Sequence, residues 1–452
     1  MGFPYFKQVG IGAASGAVVL ALIIGGFSLG GGTPGPTDSQ SPSHSASQSA
    51  SPSASPTTLA CSAAKQAMNS RLGTLHAAVV DSATGTLLFD RLADQPARTA
   101  SLLKVVTATA ALQVFGPNYR IDTKVYQDAD DPGIIYIVGG GDVTLSNTAA
   151  GKQSVYRDGP KLSTLAVGVN QALGATPITK IVAEDSLFTG DNYRSDWNRN
   201  QQTIGYMSEV SALQVDGDRK DPTRETSPRT TDPTMNAAKK FRLAIGSLAS
   251  GATLETGVVP AGARQIAKVS SAPLSTWITH MLQVSDNTQA EALARLVSIK
   301  AGFDGSFDSI DAAYKKVLKA AGADATGMTF VDGSGYSDLN AVSPIYMTKL
   351  MKVLVDTQGD LKGVREGMPV AGESGSLAAR FTGKNADAAG HVFGKTGWIQ
   401  HGYTLGGFIY AKDGSTLLYA VYALDEVKDD AKKAIDNLVS QFYRCGSSLG
   451  NE

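Results

Sequence analysis

Apolar runs rich in β-branched and aromatic residues predict strands near both ends of this chain. The predicted strands are Leu75–Asp81, Thr86–Asp90, Tyr403–Tyr410 and Ser415–Tyr422. A turn signal separates the members of each pair, Ala83-Thr84-Gly85 in the first and Asp413-Gly414 in the second. Each pair therefore predicts a β-hairpin.

Two segments carry helical patterns. From Leu102 to Val114 the chain is apolar nearly all round, which predicts a buried helix that begins near Thr99 or Ser101. From Lys428 to Tyr443 apolar residues recur at helical spacing. Strands at both ends, with helices between and after them, predict an α+β or α/β fold in which one sheet is assembled from distant segments and covered by helices.

The middle of the chain has a pattern of its own. Ile134–Val138 and Ile178–Ala183 predict strands, whereas Asp216–Pro233 is polar, contains Asp-Pro pairs and predicts an exposed loop. We therefore expect one or more smaller domains inserted at residues 121–270. The main domain is then expected at residues 61–120 and 271–446.

The N-terminal region differs in composition from the rest. No charged residue lies between Lys7 and Asp38, and Val9–Gly32 as a helix would span roughly 36 Å, enough to cross a bilayer. Residues 1–32 are therefore predicted to be a single-pass membrane anchor, with a cleaved signal peptide as the alternative, and either would export the chain. Residues 33–58, rich in Ser and Pro, predict a flexible spacer.

Charge, cysteine and histidine content narrow the class of protein. There are 40 basic and 41 acidic residues with no block of like charge, which gives no support for a nucleic-acid partner. In an exported chain Cys61 and Cys445 predict a disulfide, with two free thiols as the alternative. The histidines show no metal-ligand spacing, so neither a metal nor another cofactor is predicted.

Three short motifs occur in one order. They are Ser101-Leu102-Leu103-Lys104, Ser285-Asp286-Asn287 and Lys395-Thr396-Gly397. An S-x-x-K match arises by chance roughly twice in a chain of this length, and Ser62-Ala63-Ala64-Lys65 is interpreted as such a match in a short amphipathic helix. S-D-N and K-T-G are each expected by chance only about 0.1 to 0.2 times. The ordered set is typical of penicillin-binding proteins and serine β-lactamases.

The first two motifs predict a nucleophile and its base. Positions three apart on a helix are neighbours, so Ser101 is the predicted nucleophile and Lys104 the base that takes its proton. Burial and the second cation, Lys395, are expected to favour the neutral form of Lys104. Ser285 is predicted to relay the proton to the leaving amine, and Asn287 to hold the substrate backbone and the lysine.

The third motif predicts a carboxylate anchor. Lys395 and Thr396 would present a cation and a hydroxyl from a strand, and Gly397 would leave room for a peptide beside it. The backbone N–H groups of Ser101 and Trp398 are the predicted oxyanion hole.

With these motifs the chain resembles the D-alanyl-D-alanine carboxypeptidase/endopeptidase family, the low-molecular-mass class C penicillin-binding proteins. The resemblance covers about Cys61 to Arg444. Its further segments are Gly139–Leu145, Glu184–Phe188, Asp332–Ser337 with Val342-Ser343-Pro344, and Gly375–Leu377 with Arg380.

This resemblance implies a fold and a function. The fold would be a penicillin-binding-protein/serine β-lactamase-like transpeptidase domain, an antiparallel sheet with helices, carrying inserted domains. The function would be that of a serine-type D-Ala-D-Ala carboxypeptidase, with DD-endopeptidase action as a further activity. It would act in the bacterial cell envelope on peptidoglycan stem peptides ending in D-Ala-D-Ala, form an acyl-enzyme and be acylated by β-lactam antibiotics.

One departure and two alternatives accompany this resemblance. Trp398 follows K-T-G where Thr or Ser is common in the family, so a side-chain hydroxyl contact is lost and the affinity for antibiotics is left open. A serine β-lactamase would need an E-x-x-x-N deacylation segment, for which the chain has no candidate. A wall-binding or scaffolding protein with a vestigial site would not need all three motifs intact.

Overall fold

The computed structural model describes residues 61–425 and 427–451. The predicted anchor at residues 1–32 and the predicted spacer at 33–58 lie outside the described residues. In the part of the chain that the structure covers, no helix combines the length and the apolar character that crossing a membrane requires.

The described part of the chain forms both strands and helices, which are numbered separately in chain order. The strands are β1 (Thr74–Asp81), β2 (Leu87–Arg91), β3 (Asp122–Gln127), β4 (Ile134–Val138), β5 (Lys180–Glu184), β6 (Thr253–Thr256), β7 (Arg264–Ser270), β8 (Val392–Ile399), β9 (Gly402–Tyr410) and β10 (Thr416–Leu424). The helices are α1 (Ala63–Ala67), α2 (Leu103–Phe115), α3 (Leu162–Leu173), α4 (Asn200–Ile204), α5 (Pro233–Ile245), α6 (Leu274–Val284), α7 (Asn287–Lys300), α8 (Ile310–Ala320), α9 (Pro344–Asp356), α10 (Lys362–Glu366) and α11 (Ala431–Cys445).

The first and last strands form one antiparallel sheet in the order β2-β1-β10-β9-β8. β1 pairs with β10 along its whole length, from Thr74 opposite Leu424 to Asp81 opposite Leu417. Helices cover both faces, so alternate residues of β10 enter different cores, Leu418 with α2 and α9, and Tyr419 with α11. Both predicted hairpins and the sheet assembled from distant segments are confirmed.

The residues between the first two motifs form a second, mixed sheet in the order β6-β5-β4-β3-β7. β4, β5 and β6 run parallel, whereas β3 is antiparallel to both of its neighbours. Helices α3 and α5 pack on this sheet through apolar residues such as Leu165, Val169 and Phe241. The second sheet thus has a core of its own, and the predicted boundaries of the inserted domain stay a prediction.

The chain between β5 and α5 leaves the second sheet and packs on the main domain. Its residues Phe188, Trp197 and Met207 are buried in the core that contains α2 and α7. From α7, the buried Arg295 donates hydrogen bonds to backbone carbonyl groups of this segment, at Val210 among others. This part of the chain therefore helps to build the main core.

The prediction of an exposed loop at Asp216–Pro233 is wrong for part of that segment. Asp216, Asp218 and Arg219 are at most 3% exposed. Asp218 accepts hydrogen bonds from the backbone N–H and the hydroxyl of Thr230. Polar side chains can be buried where they find charged or hydrogen-bonding partners, and those partners are not visible in the local composition.

A disulfide joins the two ends of the described chain. Cys61, just before α1, is bonded to Cys445 at the end of α11, with 5.2 Å between their Cα atoms. The predicted pairing is therefore present, and it closes a loop over 384 positions of sequence.

Candidate active site

The predicted nucleophile lies between a buried helix and the main sheet. Ser101 belongs to a short 3₁₀ turn, Ala100–Leu102, that leads directly into α2. The carbonyl oxygen of Thr99 accepts a hydrogen bond from Thr404 Oγ1 of β9 at 2.7 Å. Because α2 is buried nearly all round, the turn and its serine are fixed in position.

Lys104 lies one turn after the serine and is fully buried. Its Nζ is 2.8 Å from Ser101 Oγ, 2.7 Å from Asn287 Oδ1 and 2.8 Å from the carbonyl oxygen of Ser334. The last two atoms can only accept hydrogen bonds. A neutral amine would give its two hydrogens to them and keep its lone pair for the hydroxyl of Ser101, so the geometry suits a base.

The surroundings of Lys104 act on its protonation in opposite directions. Burial lowers the pKa of Lys104 to about 8, while the charges of Glu291, Asp332 and Asp286 oppose the shift. Burial and the neighbouring Asp332 raise the pKa of Glu291. Sequence reasoning missed Glu291, and it noted Asp332 in a segment of the family resemblance but gave it no role. The signal for Glu291 was its position one helical turn after the S-D-N motif.

The S-D-N motif forms the junction between α6 and α7. Ser285 has a φ of 65°, in the left-handed region, and Asp286 caps α7 by accepting a hydrogen bond from the N–H of Gln289 at 2.8 Å. Asn287 is the first residue of α7. Ser285 Oγ accepts a hydrogen bond from Lys395 Nζ at 2.9 Å, which joins the second motif to the third.

The K-T-G motif lies on β8, the edge strand of the main sheet. Lys395 is fully buried, and its Nζ also donates to the carbonyl oxygen of Thr396 at 2.7 Å. Burial, together with the charge of Lys104, lowers the pKa of Lys395 well below its ordinary value. A positive charge on Lys104 therefore disfavours a positive charge on Lys395, and the reverse.

The outer edge of β8 supplies backbone donors. The N–H of Gly394 donates to the carbonyl oxygen of Pro369 at 3.0 Å, on the side away from β9. N–H groups of alternate residues in a strand point to the same side, so the N–H of Trp398 points to this edge as well. A Cβ atom at Gly397 would lie 2.9 Å from the nitrogen of Ser101. The two N–H groups predicted for the oxyanion hole thus come from neighbouring stretches of backbone, and their role stays a prediction.

The motifs open into a cavity of about 470 Å³. The predicted residues in its lining are Ser101, Ser285, Asn287, Thr396, Gly397 and Trp398. Lining residues that sequence reasoning had given no role include Gln201, Tyr206, Ser376, Arg380 and Lys432. Thr396 Oγ1 donates a hydrogen bond to Ser376 Oγ at 2.7 Å, so a second hydroxyl stands beside the K-T-G threonine.

The chance S-x-x-K match takes no part in this cavity. Ser62 Oγ donates a hydrogen bond to Gln441 of α11, the helix that packs on the other face of the sheet. Among the described residues, no group of three or more His, Cys, Asp or Glu side chains is arranged to hold a metal ion.

Comparisons with known proteins agree on one family. The sequence matches the model of the D-Ala-D-Ala carboxypeptidase 3 (S13) family over residues 59–241 and 218–443. It is 30% identical to carboxypeptidase DacB of Mycolicibacterium smegmatis, over 86% of this chain and 84% of that protein. It is 26% identical to a D-alanyl-D-alanine carboxypeptidase of an Actinomadura species, over 74% of this chain and 75% of that protein.

The fold is also found among solved structures. Penicillin-binding protein 4 (dacB) of Haemophilus influenzae superposes with a TM-score of 0.69 at 18% identity, over 82% of this chain and 96% of that chain. The same Haemophilus protein has been solved in complex with a β-lactam, with a TM-score of 0.64 at 17% identity. The architecture is therefore that of a penicillin-binding protein.

Proposed function

The chain belongs to the D-Ala-D-Ala carboxypeptidase 3 (S13) family, and we propose that it removes the terminal D-Ala from peptidoglycan stem peptides through an acyl-enzyme at Ser101. The observation that carries this proposal is the contact of Lys104 Nζ with Ser101 Oγ at 2.8 Å. The other two partners of Lys104 Nζ can only accept hydrogen bonds, so a neutral amine would keep its lone pair for Ser101 Oγ. The proton of Ser101 then has a base within hydrogen-bond distance.

The proposed reaction begins with attack on the carbonyl carbon of the penultimate D-Ala. Ser101 Oγ forms the new bond while its proton moves to Lys104 Nζ, and the carbonyl oxygen takes up negative charge near the N–H groups of Ser101 and Trp398. When the peptide bond breaks, the departing D-Ala amine needs a proton. Ser285, which is hydrogen-bonded to Lys395, is the group proposed to relay it. Water then attacks the ester and frees Ser101.

The carboxylate of the terminal D-Ala is proposed to bind beside β8. Thr396 and Ser376 offer two hydroxyl groups there, and Lys395 lies beneath them. An anion close to Lys395 raises the pKa of its amine, because the charged form is then stabilised. Substrate binding is therefore expected to favour the ammonium form of Lys395 and the neutral form of Lys104.

Intact-mass analysis after treatment with benzylpenicillin tests the assignment of the nucleophile. One covalent adduct is expected on the wild type, and the purified protein should release D-Ala from an acyl-D-Ala-D-Ala peptide. Ser101→Ala should lose both the adduct and the release, because it removes the hydroxyl that contacts Lys104 Nζ. Ser62→Ala, which removes the chance match, should keep both. An adduct that survives Ser101→Ala would contradict the proposal.

DD-endopeptidase action stays a prediction beside this activity. In that reaction the leaving amine would belong to a second stem peptide instead of a free D-Ala. Defined cross-linked and uncross-linked muropeptides, given to the same preparation, would measure the two activities separately.

We also propose that the enzyme acts outside the cytoplasm from a membrane anchor. The charge-free apolar run at residues 9–32 supports the anchor. The Ser/Pro-rich residues 33–58 would then hold the catalytic part roughly 25–30 Å from the membrane on average. Cell fractionation with N-terminal sequencing distinguishes a retained anchor from a cleaved signal peptide.

A further inference from the structure

Asp286, the middle residue of the S-D-N motif, forms a buried ion pair with Arg219. Arg219 Nη2 lies 2.6 Å from Asp286 Oδ2, and the two side chains are 2% and 1% exposed. The hydroxyl of Tyr156 accepts a hydrogen bond from Arg219 Nη1 at 2.6 Å and donates one to Asp286 Oδ2 at 3.1 Å. The three side chains thus form a closed triangle. Removing one member of such a pair leaves a buried charge without a partner, which is strongly unfavourable.

Arg219 is held rigidly where it meets Asp286. It follows the turn Asp216–Asp218, in which all three residues have positive φ values, 58°, 56° and 59°. Asp218 fixes this turn by accepting hydrogen bonds from the N–H and the hydroxyl of Thr230 and from Asn236. Strained backbone of this kind persists only where the surrounding structure over-determines it. Here the turn directs a guanidinium group at the active-site motif.

Asp286 in turn fixes its two neighbours in the motif. It caps α7, and it directly follows Ser285, whose left-handed conformation is uncommon for a residue other than glycine. Asn287 Oδ1 accepts from Lys104 Nζ, and its amide nitrogen donates to the carbonyl oxygen of Tyr206 at 3.0 Å. A shift of Asp286 would therefore move both Ser285 and Asn287 relative to Lys104.

The charge of Asp286 also reaches the base. Asp286 is one of the carboxylates that raise the pKa of Lys104. Although burial raises its pKa, the charges of Arg219 and His280 hold the pKa of Asp286 far below its ordinary value. His280 itself is hydrogen-bonded to Glu225 and Gln289. Arg229 is a further buried cation whose charge interacts with that of Asp286, but its Nη1 donates to the carbonyl oxygen of Ser227, whereas Arg219 contacts Asp286 directly.

We infer that Arg219 is a positioning residue for acylation, which holds Ser285 and Asn287 in place through Asp286. Arg219 and Tyr156 belong to the part of the chain between the first two motifs. This part thus completes the active site as well as packing beside it. This inference rests on the proposed function, because it concerns the acylation of Ser101.

The test compares three variants by their rate of acylation with a fluorescent penicillin. Arg219→Met removes the charge and keeps most of the volume, and about a 10- to 100-fold slower acylation is expected, because small displacements of catalytic groups have effects of this size. Arg219→Met/Asp286→Asn removes both charges, keeps a capping side chain and should acylate faster than Arg219→Met. Arg224→Met is the matched control, since Arg224 is exposed in the same loop, and it should acylate like the wild type.

The pH dependence separates positioning from a loss of folding. In Arg219→Met the unpaired Asp286 should have a raised pKa. At low pH it is protonated and resembles Asn, and at high pH it is a buried charge. The acylation rate of Arg219→Met divided by that of the double variant should therefore fall as pH rises from about 5 to about 8. Circular dichroism of each variant monitors folding.

The results of this comparison distinguish failure of the inference from failure of the proposed function. Wild-type acylation by Arg219→Met would overturn the inference and leave the proposed function standing. A rate ratio that is constant with pH, or a double variant no faster than Arg219→Met, would also overturn it, because each indicates a merely structural loss. No acylation of the wild type would overturn the proposed function and this inference together.

Discussion

In the proposed mechanism, the protonation state of a single residue, Lys104, decides whether Ser101 can react. An unperturbed lysine has a pKa near 10.4 and would be charged at neutral pH. Burial brings the pKa of Lys104 down to about 8, and nearby carboxylates prevent a larger shift. The site therefore holds a lysine that is partly neutral near neutral pH. Ser334 and Asn287 hold its hydrogens, so the lone pair faces Ser101.

Acylation should follow the titration of Lys104. If the neutral form is the base, as proposed, the acylation rate with penicillin should rise with pH and level off above about pH 8. Lys104→Arg keeps the positive charge but removes the titratable base, and acylation should fall by about 10²- to 10⁴-fold. Lys395→Arg keeps a cation near the carboxylate and should mainly weaken substrate binding, with the rise of the rate with pH retained.

Stopped-flow measurement of acylation between about pH 6 and about pH 9 checks this expectation. Circular dichroism establishes that both lysine variants are folded. A Lys104→Arg variant that acylates at close to the wild-type rate would mean that another group is the base.

At the level of secondary-structure elements, the site depends on how closely β8 approaches the turn that carries Ser101. A Cβ atom at Gly397 would lie 2.2 Å from Thr404 Oγ1 and 2.9 Å from the nitrogen of Ser101. The sequence analysis expected this glycine to leave room for a peptide beside the strand. The structure adds a second requirement, because the space beside Gly397 is already occupied by the backbone of Ser101.

Gly397→Ala should therefore displace β8 from the Ser101 turn. Overpacking of this kind typically destabilises a protein by about 1–3 kcal/mol, and acylation should slow because the oxyanion donors move apart. Gly251→Ala is the matched control, since a Cβ atom there would meet nothing within 4 Å. Thermal unfolding and penicillin acylation measure the two effects. Equal behaviour of the two variants would show that β8 tolerates the extra methyl group.

At the level of the whole molecule, distant parts of the sequence meet in both the sheet and the active site. The main sheet pairs β1 with β10, and the Cys61–Cys445 disulfide joins α1 to the end of α11 close to that sheet. Ser101, Ser285 and Lys395 come from three separate stretches, and the chain between the first two motifs adds Arg219, which pairs with Asp286. The contacts that stabilise the two ends of the folded chain are thus different from the contacts that form the active site.

Removal of the disulfide should separate these two properties. In the chain-entropy model a bridge that closes 384 positions stabilises the folded state by about 6 kcal/mol, and removal of a native disulfide typically costs about 2–5 kcal/mol. Cys61→Ser/Cys445→Ser should therefore have a lower melting temperature, because α1 and α11 lose their link. Penicillin acylation at low temperature should be largely unchanged, because the bridge lies on the face of the sheet away from α2.

Calorimetry and acylation assays of the double serine variant check this prediction, and reduction of the wild type should reproduce the lower melting temperature. Peptide mapping that finds both thiols free in the exported protein would rule out the bridge.

The secondary-structure elements near both ends and the three motifs could be predicted from the sequence alone. Hairpins and the helix after Ser101 follow from local periodicity, turn residues and apolar runs, which depend on neighbours along the chain. The order of S-x-x-K, S-D-N and K-T-G indicated one site because two of these motifs are rare by chance. The cysteines could be paired because the sequence has 2 of them and its N-terminal region predicts export.

The residues that surround those motifs could not be predicted, because they are brought there by the packing of distant parts of the chain. Glu291 and Asp332 act on Lys104, Ser376 meets Thr396, and Arg219 pairs with Asp286. Arg219 lies in a polar segment whose composition predicted exposure. A buried charge needs a partner that folding brings close, and in this case the partner is 67 positions away along the chain. No periodic pattern in the sequence indicates such a partner.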